Sequence, residues 1–176
     1  MRSWKPILPF KQTTIVEQVV HTALLQCERV ILVTGYRAPE LEDIFRGHPS
    51  VSLIRNTDWQ RGLFSSIQTG VAEVQRPRFF ITLGDLPWIG EEIYRVMLSQ
   101  SHRDVLFPAY GSERGHPVLF GSKVIPSILN ADRDTGKMRE ICGTFDQDIL
   151  QWKDNSILRD VDTPDDYNPQ DSEHIL

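Results

Sequence analysis

This sequence is poor in the features that carry a chain to a membrane, to nucleic acid or into an oxidising compartment. No apolar stretch approaches the roughly 20 residues that a bilayer-spanning helix needs, and the opening MRSWKPILPF lacks the apolar core of a signal peptide. No membrane partner is expected, and the expected location is cytoplasmic. Basic excess is missing too: the net charge of -5 gives no electrostatic pull toward nucleic acid or anionic lipid. Cysteine is scarce. Cys27 and Cys142 stand alone, in no metal-ligand spacing, and two isolated thiols make no disulfide framework. Internal repeats, low-complexity tracts and linkers are lacking as well. What is present is the makeup of one globular domain, 40% hydrophobic and 24% charged over 176 residues, expected at 1–168 with a polar tail at 169–176. Its partners are expected to be small molecules.

Apolar periodicity alternates between helix and strand along the chain. TTIVEQVVHTALLQC places Ile15, Val19, Val20, Ala23 and Leu24 at helical spacing behind an N-cap at Thr13 or Thr14. RVILVTG follows at once, and its continuous apolar run suits a parallel strand covered on both faces. APELEDIFRG then reads as a helix closed by Gly47, VSLIRN as a strand, and SSIQTGVAEVQ as a helix capped by Ser65 or Ser66. FFITLGD, EEIYRVMLSQ and DVLFPAY continue as strand, helix and strand. Further on, GSERGHPVLF predicts a turn feeding a strand, SKVIPSILN and TGKMREICG short helices, and SILRDVDTPDDY a strand end running into a loop. This alternation predicts an α/β sandwich on a mostly parallel sheet.

In such sheets ligands bind outside the carboxyl ends of the strands. FFITLGDLPWIG delivers a lone acid, Asp85, to one such end, so its carboxylate is expected to face the ligand crevice; the alternative is that Gly84 and Asp85 begin a turn. A second acidic segment, LRDVDTPDDY, alternates Asp160 and Asp162, which point the same way in an extended chain. Acids meeting at one edge suit magnesium, which takes few carboxylates and keeps room for water and substrate phosphates. A solvated acidic face is the other reading.

NTDWQRGLFSSIQTG sets Gly62 ahead of a helix, with Ser65 and Ser66 in its first turn. Amides and hydroxyls there can meet a phosphate or the edge of a base, or the serines can serve as a plain cap. YGSERGHPVLF packs Arg114, Gly115 and His116 into a tight turn. A fixed charge and a titratable ring beside the backbone can orient an anionic or polycyclic substrate, or can simply sit at the surface. Lys5, alone near the start, carries no meaning by itself.

Taken in their order and spacing, KPILPF, VTGYR, NTDWQRGLFSSI, LGDLP, RGHPVLF and DVDTPDDY resemble the molybdenum cofactor cytidylyltransferases. These belong to a wider group of nucleotidyltransferases that includes the molybdenum cofactor guanylyltransferases. The likeness runs from about Lys5 to Tyr167, and RGHPVLF and DVDTP are its most specific parts. It implies a three-layer, Rossmann-like α/β/α fold. The implied reaction is attack by the terminal phosphate of molybdopterin on the α-phosphorus of CTP, or of GTP, with Mg2+ and release of pyrophosphate. A molybdoenzyme receiving the product is a further implied partner.

The resemblance also implies residue roles. Asp85 is the principal magnesium ligand, Asp162 completes the site and Asp160 lies beside it. Lys5 contacts the triphosphate and shares the catalytic work with Asp85. Gly35, Asn56, Gly62, Ser65, Ser66 and Gly84 line the nucleotide pocket, while Arg114, Gly115 and His116 face the pterin. Leu86 stands where the family often has Gln, and Phe64 where it has Ser; both bear on substrate fit. The family pattern opens with a strand and a Leu-Ala-Ala-Gly loop leading into Arg-Met-Gly, and MRSWK lies where that loop should end. That strand is central in the family's sheet, so exposed apolar edges are expected here. Two other functions fit the same motifs: a non-catalytic descendant that binds a nucleotide or partner, and a transferase acting on a sugar phosphate or phospholactate.

Overall fold

A computed structural model describes residues 4–100 and 104–161. A 3-10 turn, Lys5–Ile7, leads into a small hairpin of β1 (Pro9–Phe10) and β2 (Thr13–Thr14), and then into α1 (Ile15–Leu24). Thr14 is the N-cap of α1, through a reciprocal box in which its hydroxyl oxygen accepts the Glu17 N–H at 3.4 Å and the Glu17 carboxylate accepts the Thr14 N–H at 2.9 Å. After this come β3 (Val30–Thr34), α2 (Ala38–Phe45), β4 (Val51–Arg55), a 3-10 turn at Trp59–Arg61, α3 (Leu63–Val71), β5 (Arg78–Ile81) and α4 (Glu91–Ser99). The second half runs through β6 (Val105–Tyr110), β7 (Glu113–Arg114), β8 (Val118–Gly121), α5 (Ile125–Asn130), α6 (Met138–Cys142), β9 (Gln147–Gln151) and a last 3-10 turn at Asn155–Ile157.

Two expectations about elements are corrected. The cap of α3 is Gly62, with φ of 97°, and Ser65 and Ser66 lie inside the first turn instead of before it. Gly62 has the backbone freedom that this entry requires, and the Ser65 hydroxyl turns back to donate to the Gly62 carbonyl at 2.8 Å. The strand expected in SILRDV is a 3-10 turn capped by Asp154, whose carboxylate accepts the Ser156 N–H at 3.0 Å. The ladder partner of β6 is instead QDILQ, which pairs with it in parallel from Val105↔Gln147 to Ala109↔Gln151.

The main sheet runs β5–β8–β6–β9, and β7 continues along the same edge of β6 as β8. β8 is antiparallel to both β5 and β6, whereas β9 is parallel to β6. The sheet is therefore mixed where a mostly parallel one is expected. The GSER turn folds the chain straight back on β6, which an antiparallel pair allows and a parallel pair does not.

β3 and β4 form a parallel ladder of their own. Among the described residues β3 is bonded only to β4, and β5 only to β8. Val30 to Val33 and Arg78 to Ile81 are half-buried, short of the two-sided cover their apolar runs predict, while β8 is buried from Val118 to Phe120. Helices complete three layers. On one face Ala23 of α1 and Ile93, Tyr94 and Met97 of α4 pack with Leu106 and Leu119. On the other, Val71, Ile128 and Cys142 from α3, α5 and α6 pack with Val105, Val118 and Phe120. Each buried valine, leucine, isoleucine, phenylalanine or methionine among them contributes about 1.5–3 kcal/mol. Val16 and Val20 of α1 also pack with Leu41 and Phe45 and against Leu32 and Leu53, so α1 ties the β3–β4 ladder to the larger sheet. Both cysteines are free thiols, and burial pushes Cys27 up to about 11, which keeps it protonated. No helix among the described residues is long and apolar enough to cross a membrane.

Candidate active site

Asp85 is placed by what flanks it. The chain leaves β5 at Ile81, and three residues later Gly84 is exposed while Leu86 and Ile89 are buried, at 3% and 4% exposure. Buried Leu86 anchors one side of Asp85 in the core; Gly84 and Asp85 lie in a turn past the end of β5, and Asp85 is half-buried there with its Oδ1 shielded from solvent. The Asp85 carbonyl accepts the N–H of Val161 at 3.1 Å, which lays the acidic segment alongside. Val161 is buried with Phe10 and Ile15 against Trp88, and the Arg159 guanidinium stacks over the Trp88 ring at 4.2 Å. Asp160 thus lies next to the Asp85 turn, in irregular chain and not in the extended strand its alternation predicts. Asp162 lies outside the described residues.

Gly115 and His116 reach the same place from β7. The Gly115 N–H donates to the Pro108 carbonyl at 2.8 Å and the His116 N–H to the Ile157 carbonyl at 2.9 Å. A Cβ on Gly115 would sit 2.4 Å from the Ile157 oxygen, so this close backbone approach excludes any side chain. His116 Nδ1 is 3.4 Å from the Ile81 carbonyl oxygen. Burial holds its pKa below the ordinary histidine value, opposed by the Ile81 carbonyl and the Asp85 charge. The ring is neutral at pH 7, and Asp85 is close enough to act on it. Arg114 turns elsewhere: its guanidinium donates to Gln147 at 2.8 Å and stacks on Phe107 at 4.4 Å.

A second group gathers at the ends of β3 and β4. The Asn56 N–H donates to the Thr34 carbonyl at 2.8 Å, which holds the two strand ends together. Asn56 is 2% exposed, and its amide donates to the hydroxyls of Ser65 at 2.9 Å and Ser66 at 3.0 Å. Gly35 allows Trp59 to close over it, since a Cβ there would lie 2.6 Å from Trp59 Cβ. Gly62 completes the loop. Lys5 sits apart from both groups by sequence, in the 3-10 turn that packs on α1. α1 also approaches the first group, with Val16 Cγ2 at 3.9 Å from a Cβ built on Gly84.

A sequence model of the MobA-like NTP transferase domain matches residues 1–149. The chain belongs to that family. It is 32% identical to the molybdenum cofactor cytidylyltransferase of Escherichia coli (strain K12), over 167 residues that make up 95% of this chain and 86% of that protein. Among solved structures, Rv0371c of Mycobacterium tuberculosis H37Rv superposes with a TM-score of 0.78 at 20% identity, covering 95% of this chain and 88% of that one. Its complex with manganese gives 0.73 at 22% identity, over 93% and 89%. The 4-diphosphocytidyl-2C-methyl-D-erythritol synthase of Anaerococcus prevotii gives 0.72 at 12% identity, over 94% and 90%. These structures establish the Rossmann-like nucleotidyltransferase fold, and the family establishes a nucleotidyltransferase.

In this nucleotidyltransferase the sequence motifs form two clusters, one around Asp85 and one around Asn56. One side chain of the second cluster carries no signal in the sequence. Arg133, in NADRDTGK, reaches Thr69 Oγ1 at 2.9 Å and approaches the Asn56 side-chain oxygen and the Ser65 carbonyl at 3.4 Å. A basic residue in a polar loop reads as solvated, and only the fold reveals its inward turn.

Proposed function

We propose that this nucleotidyltransferase acts in the cytoplasm and transfers CMP from CTP to molybdopterin with Mg2+, releasing pyrophosphate. The observation that carries the reading is the identity to the cytidylyltransferase along 95% of the chain. A terminal phosphate oxygen of molybdopterin attacks the α-phosphorus, the bond to the β-phosphate oxygen breaks, and pyrophosphate departs with its electron pair. No covalent enzyme intermediate is needed. The protein's part is to hold two anions in line and offset the charge that develops.

The donor set fits magnesium. Asp85 and Asp160 offer hard carboxylate oxygens in adjacent chain segments, and among the described residues no cluster of three or more His, Cys, Asp or Glu side chains makes a closed cage. Few carboxylates with room for water and phosphate is magnesium's preference. Asp85 and Asp160, with Asp162, would hold the ion, which supplies charge neutralisation at the triphosphate. Lys5 would meet the triphosphate as a flexible point charge. Gly35, Asn56, Gly62, Ser65, Ser66 and Gly84 would line the nucleotide, and Gly115 and His116, with Arg114 beside them, would border the pterin. The product would pass to a molybdoenzyme.

The test is pyrophosphate release by the purified protein with molybdopterin, Mg2+, and CTP or GTP. Release with CTP supports the proposal, preference for GTP moves the chain to the guanylyl branch, and nucleotide binding without release identifies a non-catalytic descendant.

A further inference from the structure

Arg133 is costly to keep where it is. Its Nη2 group reaches Thr69, Asn56 and Ser65, but its Nε is buried without a hydrogen-bond partner among the described residues, and leaving a buried donor unmade opposes folding. The loop that carries it is tied down independently. Asp132 Oδ1 accepts from the Asp134 N–H, the Thr135 N–H and the Thr135 hydroxyl. Arg61 grips Asp134 with two bonds, of 2.6 and 2.7 Å. Gly136 lies so close to Phe64 that a Cβ would come within 2.5 Å of its ring. Apart from Arg133 itself, the loop at 131–137 is thus fastened to the segment 61–68 through Asp134, Gly136 and the Ala131 carbonyl, which accepts from Gln68 Nε2 at 2.9 Å.

These bonds fix a direction of proton donation. The Asn56 side-chain oxygen faces two donors, the Asp58 N–H at 3.0 Å and Arg133 at 3.4 Å, so oxygen and not nitrogen must occupy that position. The Asn56 NH2 group is thereby committed to the hydroxyls of Ser65 and Ser66. Both hydroxyl oxygens accept, leaving their protons to be donated onward. Ser65 spends its proton on the Gly62 carbonyl. Ser66 has no acceptor among the described residues, so its O–H is the open end of the chain.

We propose that Arg133 is a positioning residue for nucleotide binding, orienting Asn56 so that Ser66 presents a proton donor to an acceptor atom of the nucleotide, a base carbonyl or a phosphate oxygen. This rests on the reading of residues 56–66 as the nucleotide pocket. Arg133 touches no substrate; it acts through Asn56.

The experiment compares Arg133→Ala, Arg133→Lys, Ser66→Ala and the double variant Arg133→Ala with Ser66→Ala. It measures the Kd for CTP and GTP with Mg2+ by calorimetry, together with kcat, KM and Tm. Arg133→Ala is expected to raise nucleotide Kd and KM about tenfold, the equivalent of one lost hydrogen bond, with kcat within about twofold. Arg133→Lys, which keeps a cationic donor, recovers part of the loss. Ser66→Ala matches Arg133→Ala, and the double variant is no worse than either, since one relay is broken only once. Unchanged Kd in Arg133→Ala with a lowered Tm, or a double variant whose losses add, overturns the relay while nucleotide binding by the wild type stands. Should Arg133→Ala fail to fold, Ser66→Ala and Arg133→Lys decide alone: unchanged Kd in Ser66→Ala overturns the relay. A wild type that binds neither nucleotide overturns the pocket reading and the relay together.

Discussion

The N–H of Val161 donates to the carbonyl of Asp85 at 3.1 Å, joining the segment that carries Asp160 to the turn that follows β5. The bond is made by backbone, so it positions Asp160 whatever the side chains of 85 and 161 are.

Asp85→Ala is expected to lower metal-dependent turnover by about 10²-fold or more, in line with other losses of transition-state charge stabilisation. Its thermal midpoint should stay close to wild type. A steady-state assay with a melting curve checks both, and a protein that unfolds instead would mark Asp85 as a turn residue.

Gly115→Ala adds one methyl where the Ile157 carbonyl oxygen would lie 2.4 Å away. The clash is with backbone, which cannot rotate aside, so a loss of about 1–3 kcal/mol is expected from overpacking. Urea denaturation measures it. Activity should fall as well, because His116 moves with its neighbour.

Gly62→Ala tests a different physics. Nothing lies within 4 Å of a Cβ there, yet φ of 97° with ψ of 179° is a region closed to alanine. The expected cost is about 1–3 kcal/mol of backbone strain, and relief of that strain should distort the loop and raise the nucleotide KM. An unchanged KM would separate this glycine from nucleotide binding.

The pH dependence of stability should carry the mark of His116. Its folded pKa is lowered by burial, so below the ordinary value of 6.5 the unfolded chain binds a proton that the folded one resists. Stability is therefore complete above 6.5 and falls as pH drops from 6.5 toward the lowered value. His116→Gln should flatten that limb in denaturation measured between pH 7 and 5.

Much of this was legible in the sequence, and the failures have physical reasons. The helix at Ile15–Leu24 and its Thr14 cap follow from periodicity and capping chemistry, whereas the apolar run before Asp85 predicts a strand longer than β5, which ends at Ile81 and leaves Gly84 and Asp85 in a turn. β9 was missed because QDILQ is short and mostly polar, and its pairing with β6 is a tertiary event. Ser65 looked like a cap because serine usually is one, but Gly62 gives the chain the turn it needs. Arg133 was invisible because its partners lie at 56, 65 and 69, and no local pattern reports a contact that distant.

The separation of the β3–β4 ladder from the larger sheet has a mechanical consequence. Thr34 and Asn56, in the cluster proposed to take the nucleotide, ride on one ladder, while Asp85 rides just past the end of a strand of the other. Among the described residues no strand pairing couples the two, and α1 spans them through Val16, Val20 and Ala23. Two helices thus seat the ladder against the larger sheet: α1, and α3, which packs on β3 and β4 and reaches the larger sheet through Val71. Methyl-sized changes on their buried faces, at Val16, Val20 and Ala23 or at Val71, are expected to shift the Asn56 cluster relative to Asp85 without altering a residue of either.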